Sequence, residues 1–383
     1  MTKILFIPST QNGGVYYYRV YTPMLDISKR YGDEFDITIN GAYRFTDAEK
    51  DEIGKNYDIV WIHNCLFMSD IQEEVWKTIV YCKKVYGTRF VLDLDDFWEY
   101  HKNHPAVDAC RFNAFPEKMM INFKLFDYVT TTTEYFKGVI SNYFPAEKIY
   151  VFNNAISTDD AQFSGYKNPS DKLRIGLTGG SSHTDDIKQL LDFPKYLTDK
   201  QLDEIEFVLC GFDKNAEKIN VDENGKIIGR EALDDKENWW VQTENHFKSK
   251  FKHYKRIESK DICKGEFGKI YEDIDVLLVP LTNNAFNRCK SELKFIEAGF
   301  TQTAVIASNV IPYSNFGTNN DDSLLVKEPT PQEWARAVKR LLRDKPFLYS
   351  ITSNNAMNVK VLRNMERITK KRVEFLREIS IKQ

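Results

Sequence analysis

Three carboxylates, Asp93, Asp95 and Asp96, lie close together at the end of the predicted strand Thr88–Asp93. Carboxylates are costly to bury without partners, so such a cluster indicates a site that meets a ligand or a cation. These groups can orient a hydroxyl, accept a proton or bind a metal ion. A helix N-cap is the structural alternative, and it accounts for one of the three.

A glycine- and serine-rich turn follows the predicted strand Arg174–Leu177 and precedes the predicted helix Asp185–Leu197. Backbone N–H groups and hydroxyls in such a turn can hold a phosphate at the start of the helix. An ordinary helix N-cap at Ser182 or Thr184 is the alternative. The candidate residues of this turn are Gly179, Gly180, Ser181, Ser182 and His183.

Lys290, Lys294 and Glu297 form a polar stripe on the predicted helix Lys290–Phe300. The stripe is displaced from the apolar stripe by one residue, or ~100° of rotation, whereas a solvated face would lie opposite the core. Two lysines can neutralise a diphosphate, and a carboxylate can accept hydrogen bonds from ribose hydroxyls. A surface ion pair between Lys294 and Glu297 is the simpler alternative.

The loop after the first predicted strand, Ile4–Pro8, carries Gly13 and Gly14 before a helical run. Glycines there let backbone N–H groups approach an anion or a sugar hydroxyl, although the segment lacks the G-x-G-x-x-G dinucleotide pattern. A tight turn is the alternative. Arg19 follows, and it could point into the same cleft.

Short apolar runs alternate with helical stretches in both halves of the chain, which predicts two α/β, doubly wound, Rossmann-like domains facing a cleft. In such sheets ligands bind beyond the carboxyl ends of the strands, where the candidate segments fall. We expect a first domain at 1–156, a linker at 157–172, a second domain at 173–345 and a helical tail at 346–383 that packs back toward the first domain. The segment 213–265 is expected to add a helix or hairpin and a buried strand.

The 383 residues are 42% hydrophobic and 28% charged, which excludes a disordered chain and suits two domains. A net charge of −3 disfavours a nucleic-acid-binding protein. The sequence shows no apolar run of the ~18 residues that span a bilayer, and its six scattered cysteines suit a reducing compartment. We therefore expect a cytoplasmic protein.

The last 48 residues are strongly basic, since 336–383 hold 13 Lys and Arg against 4 Asp and Glu. A solvated helical tail explains this charge. Peripheral contact with an anionic membrane surface, or with a lipid-linked substrate, is the alternative that bears on function.

An ordered series of motifs in the second half resembles the GT-B glycosyltransferases, closest to the glycosyl transferases group 1 (family four). The series runs I-G-L-T-G-G-S-S-H-T-D-D-I at 175–187, V-P-L at 279–281, N-R-C-K-S-E-L-K-F-I-E-A-G at 287–299 and A-V-I-A-S at 304–308. The first half fits more loosely, through the Gly13-Gly14 loop, the D-L-D-D segment and F-N-N-A-I at 152–156.

The resemblance implies a nucleotide-sugar donor held mainly by the second domain and an acceptor on the first. Because Lys290, the turn at 179–182 and helix N-termini would stabilise the leaving diphosphate, we expect that no cofactor or metal is required. The assigned catalytic residues are Asp95, Asp96 and His183, and the acceptor-side residues are Gly13, Gly14 and Arg19. The donor-binding residues are Gly179, Gly180, Ser181, Ser182, Arg288, Lys290, Ser291, Lys294 and Glu297, with Glu297 on the ribose. Cys289 stands where family-four enzymes commonly carry the first Glu of an E-x7-E pair, a departure that bears on a retaining mechanism.

The predicted activity is metal-independent transfer of a sugar from a nucleoside-diphosphate sugar to a hydroxyl of a glycan, a lipid-linked compound or another acceptor. A metal-dependent transferase with a D-x-D motif at 93–95 is one alternative, disfavoured by the second βαβ series. A nucleotide-sugar epimerase of the same architecture and a non-catalytic nucleotide- or glycan-binding protein are the others.

Overall fold

Two six-stranded, entirely parallel sheets form the framework of the chain. The computed structural model describes residues 1–64, 72–104, 107–180, 183–212, 217–222 and 227–380. One sheet lies in each half of the chain, and helices cover both. The predicted α/β architecture of two doubly wound domains with C-terminal helices is therefore confirmed.

The first sheet has the strand order β2-β1-β3-β4-β5-β6. Its strands are β1 Thr2–Ile7, β2 Phe35–Ile39, β3 Ile59–His63, β4 Arg89–Leu94, β5 Tyr128–Thr131 and β6 Ile149–Val151. Side chains alternate between the two faces: Leu5 and Val60 pack on one side, and Phe6 and Trp61 on the other. Burial on both faces explains why these strands read as continuous apolar runs.

The helices of the first half leave the carboxyl ends of these strands. They are α1 Gly13–Val15, α2 Thr22–Tyr31, α3 Lys50–Asn56, α4 Gln72–Tyr86, α5 Val107–Phe112, α6 Phe115–Leu125 and α7 Glu134–Ile140. A π-helical turn, Tyr16–Tyr21, joins α1 to α2.

The second sheet has the order β11-β8-β7-β12-β13-β14, with β9 and β10 forming a separate antiparallel hairpin. The strands are β7 Leu173–Thr178, β8 Ile205–Phe212, β9 Glu217–Val221, β10 Ile227–Ala232, β11 His253–Glu258, β12 Val276–Val279, β13 Ala304–Ser308 and β14 Leu324–Val326. The segment 213–265 thus supplies both a hairpin and a helix. Its strand β11 is partly exposed and not buried as expected, because it pairs with β8 alone at the edge of the sheet.

The helices of the second half begin with a short turn after β7. They are α8 Thr184–Ile187, α9 Asp199–Asp203, α10 Trp239–Lys250, α11 Ala285–Arg288, α12 Leu293–Phe300, α13 Tyr313–Phe316, α14 Pro331–Arg343, α15 Lys345–Leu362 and α16 Met365–Ser380. The predicted helix Asp185–Leu197 is wrong in extent: α8 gives way to two 3₁₀ turns, the second containing Pro194. Proline has no N–H to donate and its ring clashes with the preceding turn, so an α-helix does not continue through it.

The two C-terminal helices lie on different halves of the molecule. On α15, Asn355 donates to the carbonyl of Phe295 in α12, whereas α16 packs against the first sheet. The short connection between α15 and α16 is hydrogen-bonded to Ile156, which lies where the chain leaves the first domain. The carbonyl of Ile156 accepts from the N–H of Met365 (3.0 Å), and its N–H donates to the carbonyl of Arg363 (3.1 Å). The two connections between the domains are therefore hydrogen-bonded to each other.

Part of the positive charge in the C-terminal segment has partners within the chain. Arg377 pairs with Glu34, Arg363 with Glu292 and Lys370 with Glu366, while Arg372 is buried. The charge free to meet an external surface is therefore smaller than the sequence count implies. In the part of the chain that the structure describes, no helix has both the length and the apolar character needed to cross a bilayer.

Helix α16 is anchored by a buried aromatic cluster. Phe375 is 2% exposed, and its ring centroid lies 5.7 Å from that of Trp61, 4.5 Å from Tyr150 and 5.5 Å from Phe152. Phe375→Ala should therefore lower the free energy of unfolding by about 3–5 kcal/mol.

Urea denaturation measures this effect. Tyr349→Ala on α15 is the control, because Tyr349 is 71% exposed and a surface change of this kind costs less than about 0.5 kcal/mol. Equal losses in the two variants would contradict the packing of α16 on the first sheet.

Candidate functional site

A cavity of about 510 Å³ lies where the carboxyl ends of strands from both sheets face each other. The predicted site residues that line it are Gly14, Arg19, Asp95, Asp96, Gly179, Gly180, His183, Lys290, Ser291 and Lys294. Other lining residues include Tyr18, Asn154, Thr178, Gly211, Phe267 and Tyr313. A concave site of this size suits a small ligand.

The remaining predicted residues lie outside the lining of the cavity or outside the described chain. Gly13 has a left-handed φ of 74°, as a tight turn requires. The Nε atom of Arg288 is buried without a hydrogen-bond partner among the described residues. Glu297 is 1% exposed and does not line the cavity. Ser181 and Ser182 lie outside the described residues.

Arg19 and Asp93 form a buried, bidentate ion pair at the edge of the first sheet. Nε and Nη2 of Arg19 donate to the two carboxylate oxygens at 3.0 and 2.6 Å, and Thr130 donates a third bond at 2.5 Å. Burial alone would lower the pKa of Arg19, but Asp93 raises it above its ordinary value. Both carboxylate oxygens of Asp93 therefore accept bonds from residues of the first domain. This weakens the hypothesis that Asp93 binds a metal ion as part of a D-x-D motif.

The π-helical turn Tyr16–Tyr21 places consecutive side chains in the interior. In this turn the N–H of Thr22 bonds to the carbonyl of Tyr17, five residues earlier. The wider turn allows Tyr17, Tyr18 and Arg19 all to be buried. Arg19 also donates to the carbonyl of Phe152 at 2.5 Å, so the turn is fixed to the end of β6.

Behind Asp95 lies a buried histidine that the sequence-based candidates did not include. His63 ends β3, is 1% exposed, and its Nε2 lies 3.1 Å from Oδ1 of Asp95. Its Nδ1 lies 2.8 Å from the hydroxyl of Ser9. Burial is the largest single influence on the pKa of His63 and lowers it, but the charge and hydrogen bond of Asp95, together with the charge of Asp93, outweigh burial and raise the pKa. Burial likewise raises the pKa of Asp95, but the charge and hydrogen bond of His63, with smaller contributions from Arg19 and Lys290, lower it below its ordinary value.

Asp96 faces the second domain across the cavity. Nζ of Lys290 lies 3.6 Å from Oδ1 of Asp96 and 4.7 Å from the ring centroid of Phe286. Burial raises the pKa of Asp96; Lys290 opposes this change, and the neighbouring charge of Asp95 adds to it. Lys290 is therefore the cation that both cleft carboxylates share.

The glycine turn after β7 packs closely on the end of β8. Gly211 has φ of 90°, and a Cβ atom there would lie 2.2 Å from the carbonyl oxygen of Gly179, so the approach requires glycine. His183 follows, and its Nδ1 lies 2.8 Å from Asp186. Burial lowers the pKa of His183 below its ordinary value. The hydrogen bond to Asp186 acts in the opposite direction, whereas the charge of Lys290 lowers the pKa further.

Glu297 is bound by side chains from both domains. Oε1 accepts from Tyr18 at 3.0 Å, and Oε2 accepts from Tyr271 at 2.6 Å and Lys294 at 2.9 Å. The Lys294–Glu297 pair that the sequence left open as an alternative is thus present, although Lys294 also lines the cavity.

Lys290 precedes α12, so the expected polar stripe on a single helix is wrong for this residue. The helix begins at Leu293 and not at Lys290, because the segment before it folds as a separate short helix, α11, which ends at Arg288. Asn284 caps the start of α11 by accepting from the N–H of Asn287 at 2.8 Å. Ser291, in the same connection, accepts a bond from Asn154 of the first domain at 2.9 Å.

Three residues at the site, His63, Tyr18 and Asn154, were absent from the sequence-based candidates. His63 ends the apolar run Asp58–His63, which predicts a strand, so the rule that ligands bind beyond strand ends applies to His63 as it does to Asp95. Asn154 belongs to the F-N-N-A-I motif at 152–156, which gave it no role. The contacts of Tyr18 with Glu297 and of Asn154 with Ser291 span 279 and 137 residues, so no local pattern indicates them.

Solved structures share this fold over nearly the whole chain. Anabaena Alr3699/HepE, in complex with UDP and glucose, has a TM-score of 0.66 at 12% identity and covers 99% of this chain and 100% of its own. Sucrose-phosphate synthase from Thermosynechococcus elongatus has a TM-score of 0.68 at 13% identity, covering 99% of each chain. A glycosyltransferase from Rickettsia africae has a TM-score of 0.64 at 13% identity, covering 100% of this chain and 99% of its own.

These similarities confirm that the chain has the GT-B fold. No protein-family model and no curated protein matches the chain by sequence.

Removing the guanidinium of Arg19 should leave Asp93 buried without its counter-charge. Arg19→Met should therefore lower the free energy of unfolding by about 3–5 kcal/mol. The double variant Arg19→Met/Asp93→Asn should recover part of this loss, because it removes the unpaired charge as well.

Denaturant unfolding of the single and double variants measures the loss. Arg30→Ala is the matched control, since its pair with Asp26 is partly exposed and should contribute at most about 1 kcal/mol. A double variant no more stable than Arg19→Met would contradict the buried ion pair.

Proposed function

We propose that the chain is a glycosyltransferase that moves a sugar from a nucleoside-diphosphate sugar to an acceptor hydroxyl. The observation that carries this proposal is the composition of the cavity. Its second-domain wall offers glycine N–H groups and two lysines, and its first-domain wall offers two carboxylates. An anionic donor and a hydroxyl acceptor suit these two walls.

The donor diphosphate would lie against Gly179, Gly180, Lys290 and Lys294. Lysine ammonium groups and backbone N–H groups stabilise phosphate oxygens without any change of their own protonation. Glu297 now accepts hydrogen bonds from Tyr18, Tyr271 and Lys294. To accept one from a ribose hydroxyl, it must give up one of these three. Uridine nucleotides are the first donors to test, because HepE, which shares the fold, has been solved with UDP-glucose.

The acceptor would lie against the first domain beside Asp95 and Asp96. Its hydroxyl oxygen bonds to the anomeric carbon while Asp95 accepts the hydroxyl proton. The bond from that carbon to the phosphate oxygen breaks, and the nucleoside diphosphate leaves with the electron pair. Lys290 neutralises the charge that develops on this leaving group.

The acceptor itself is a hydroxyl compound, a glycan or a lipid-linked saccharide. The exposed part of the basic C-terminal segment would favour an anionic membrane surface where the acceptor is lipid-linked.

Lys290→Ala should weaken the binding of the nucleotide sugar about tenfold to hundredfold, since a hydrogen bond to a charged group contributes about 1.5–3 kcal/mol. Calorimetric titration with UDP-, GDP-, ADP- and dTDP-sugars measures the affinity. Lys195→Ala is the control, because Lys195 is an exposed lysine of the same domain paired with Asp192.

Equal affinity of the native chain and the Lys290→Ala variant for the preferred donor would contradict the donor site, as would a native chain that binds none of the four donors. With labelled donor, the proposal further requires label in an acceptor product and release of nucleoside diphosphate. Conversion of the sugar while it stays on the nucleotide would indicate an epimerase.

Transfer should persist after exhaustive chelation, because the lysines supply the positive charge that a metal ion provides in other transferases. Initial rates with and without EDTA, each followed by addition of Mg²⁺ or Mn²⁺, measure this. A rate abolished by EDTA and restored by either ion would contradict a metal-independent reaction.

A further inference from the structure

We propose that His63 is a positioning residue that acts through Asp95, holding this carboxylate ionised and aimed at the acceptor side of the cavity. The inference deepens the proposed function and rests on it. His63 itself is buried behind the cavity and is not among its lining residues.

Ser9, His63 and Asp95 form a hydrogen-bonded chain at the carboxyl edge of the first sheet. A carboxylate oxygen can only accept, so Nε2 of His63 donates to Oδ1 of Asp95 across 3.1 Å. The hydroxyl of Ser9 fixes the opposite ring nitrogen at 2.8 Å. Asp95 also lines the cavity, so its carboxylate can meet an acceptor hydroxyl there.

Charged groups from three elements face this pair. Asp93 of β4 lies 4.0 Å from Nε2 of His63 and favours the imidazolium, whereas Arg19 of the π-helical turn opposes it. From the second domain, Lys290 favours the ionised form of Asp95. Asp96 is the adjacent carboxylate, and its own charge is disfavoured by burial.

This arrangement gives the two cleft carboxylates different tasks. Asp95 keeps its negative charge through His63, Arg19 and Lys290, so it is ready to take a proton. Asp96 pairs with Lys290, which the donor diphosphate would also engage. When the diphosphate competes for Lys290, His63 therefore makes the largest contribution to keeping Asp95 ionised, with Arg19 adding to it.

The titration of Asp95 tests the pair without any substrate. In protein labelled with ¹³C at the aspartate carboxyl carbons, Asp95→Asn identifies the Asp95 signal, and its midpoint is followed against pH. The midpoint should lie below the ordinary value of about 3.9 in the native chain. In His63→Gln it should rise by about one pH unit or more, since an opposite charge changes the pKa of a carboxyl by that amount.

Two further variants separate this role from folding. Ser9→Ala removes the outer partner at an exposed position, so it should fold normally and raise the midpoint in the same direction by less. His253→Gln removes another histidine that pairs with an aspartate, Asp203, at 3.2 Å outside the cavity, and should leave Asp95 unchanged. An Asp95 midpoint that is the same in the native, Ser9→Ala and His63→Gln chains would overturn the proposal.

Kinetics test the consequence for catalysis. The rate rises with pH as Asp95 loses its proton, so the acid limb of kcat/KM should move to higher pH in His63→Gln. At a fixed pH on that limb, the rate should fall about tenfold for each pH unit by which the limb moves. KM for the donor should stay the same. A loss of rate that is equal at every pH would show a merely structural role and overturn the proposal.

Failure of the proposed function has a different signature. A native chain that transfers sugar from no donor, yet shows the coupled titration of Asp95 and His63, would support the positioning of Asp95 while contradicting glycosyl transfer.

Discussion

The buried ion pair between Arg19 and Asp93 holds together the edge of the first sheet on which the site is built. Removing two charges from water costs several kcal/mol per ion, and close hydrogen-bonded geometry must offset that cost. Here Arg19 reaches Asp93, the carbonyl of Phe152 and the amide of Asn154. One guanidinium therefore joins the π-helical turn, β4 and the chain beyond β6, and fixes where Tyr18, Asp95 and Asn154 lie.

From this edge, single side chains cross to the second domain. Tyr18 donates to Glu297, Asn154 donates to Ser291, and Lys290 approaches Asp96. Each contact joins a residue fixed by the first sheet to α12 or to the connection just before it. The cavity is thus assembled from both domains, and its carboxylates and lysines lie on opposite walls, as expected where an anionic leaving group departs from an attacking hydroxyl.

The sequence predicted the framework because burial on both faces leaves a local pattern. Strands such as Val276–Val279 are continuous apolar runs, and the rule that ligands bind beyond strand ends brought Asp95, Gly179 and Lys290 to one cavity. The start of α12 was not predictable from periodicity alone, because the polar residues before it belong to a separate short helix, α11, and to the connection that follows Arg288. Two of the partners of Glu297 were hidden for another reason: Tyr18 and Tyr271 reach it only through tertiary contacts.

A crystal structure of the protein grown with its preferred nucleoside diphosphate, UDP being the first to try, tests the central claim most directly. The diphosphate should lie between the N–H groups of Gly179 and Gly180 and the ammonium of Lys290, with the sugar-binding space open toward Asp95. Density for the nucleotide elsewhere on the molecule, with this cavity holding only solvent at a saturating concentration, would contradict the account.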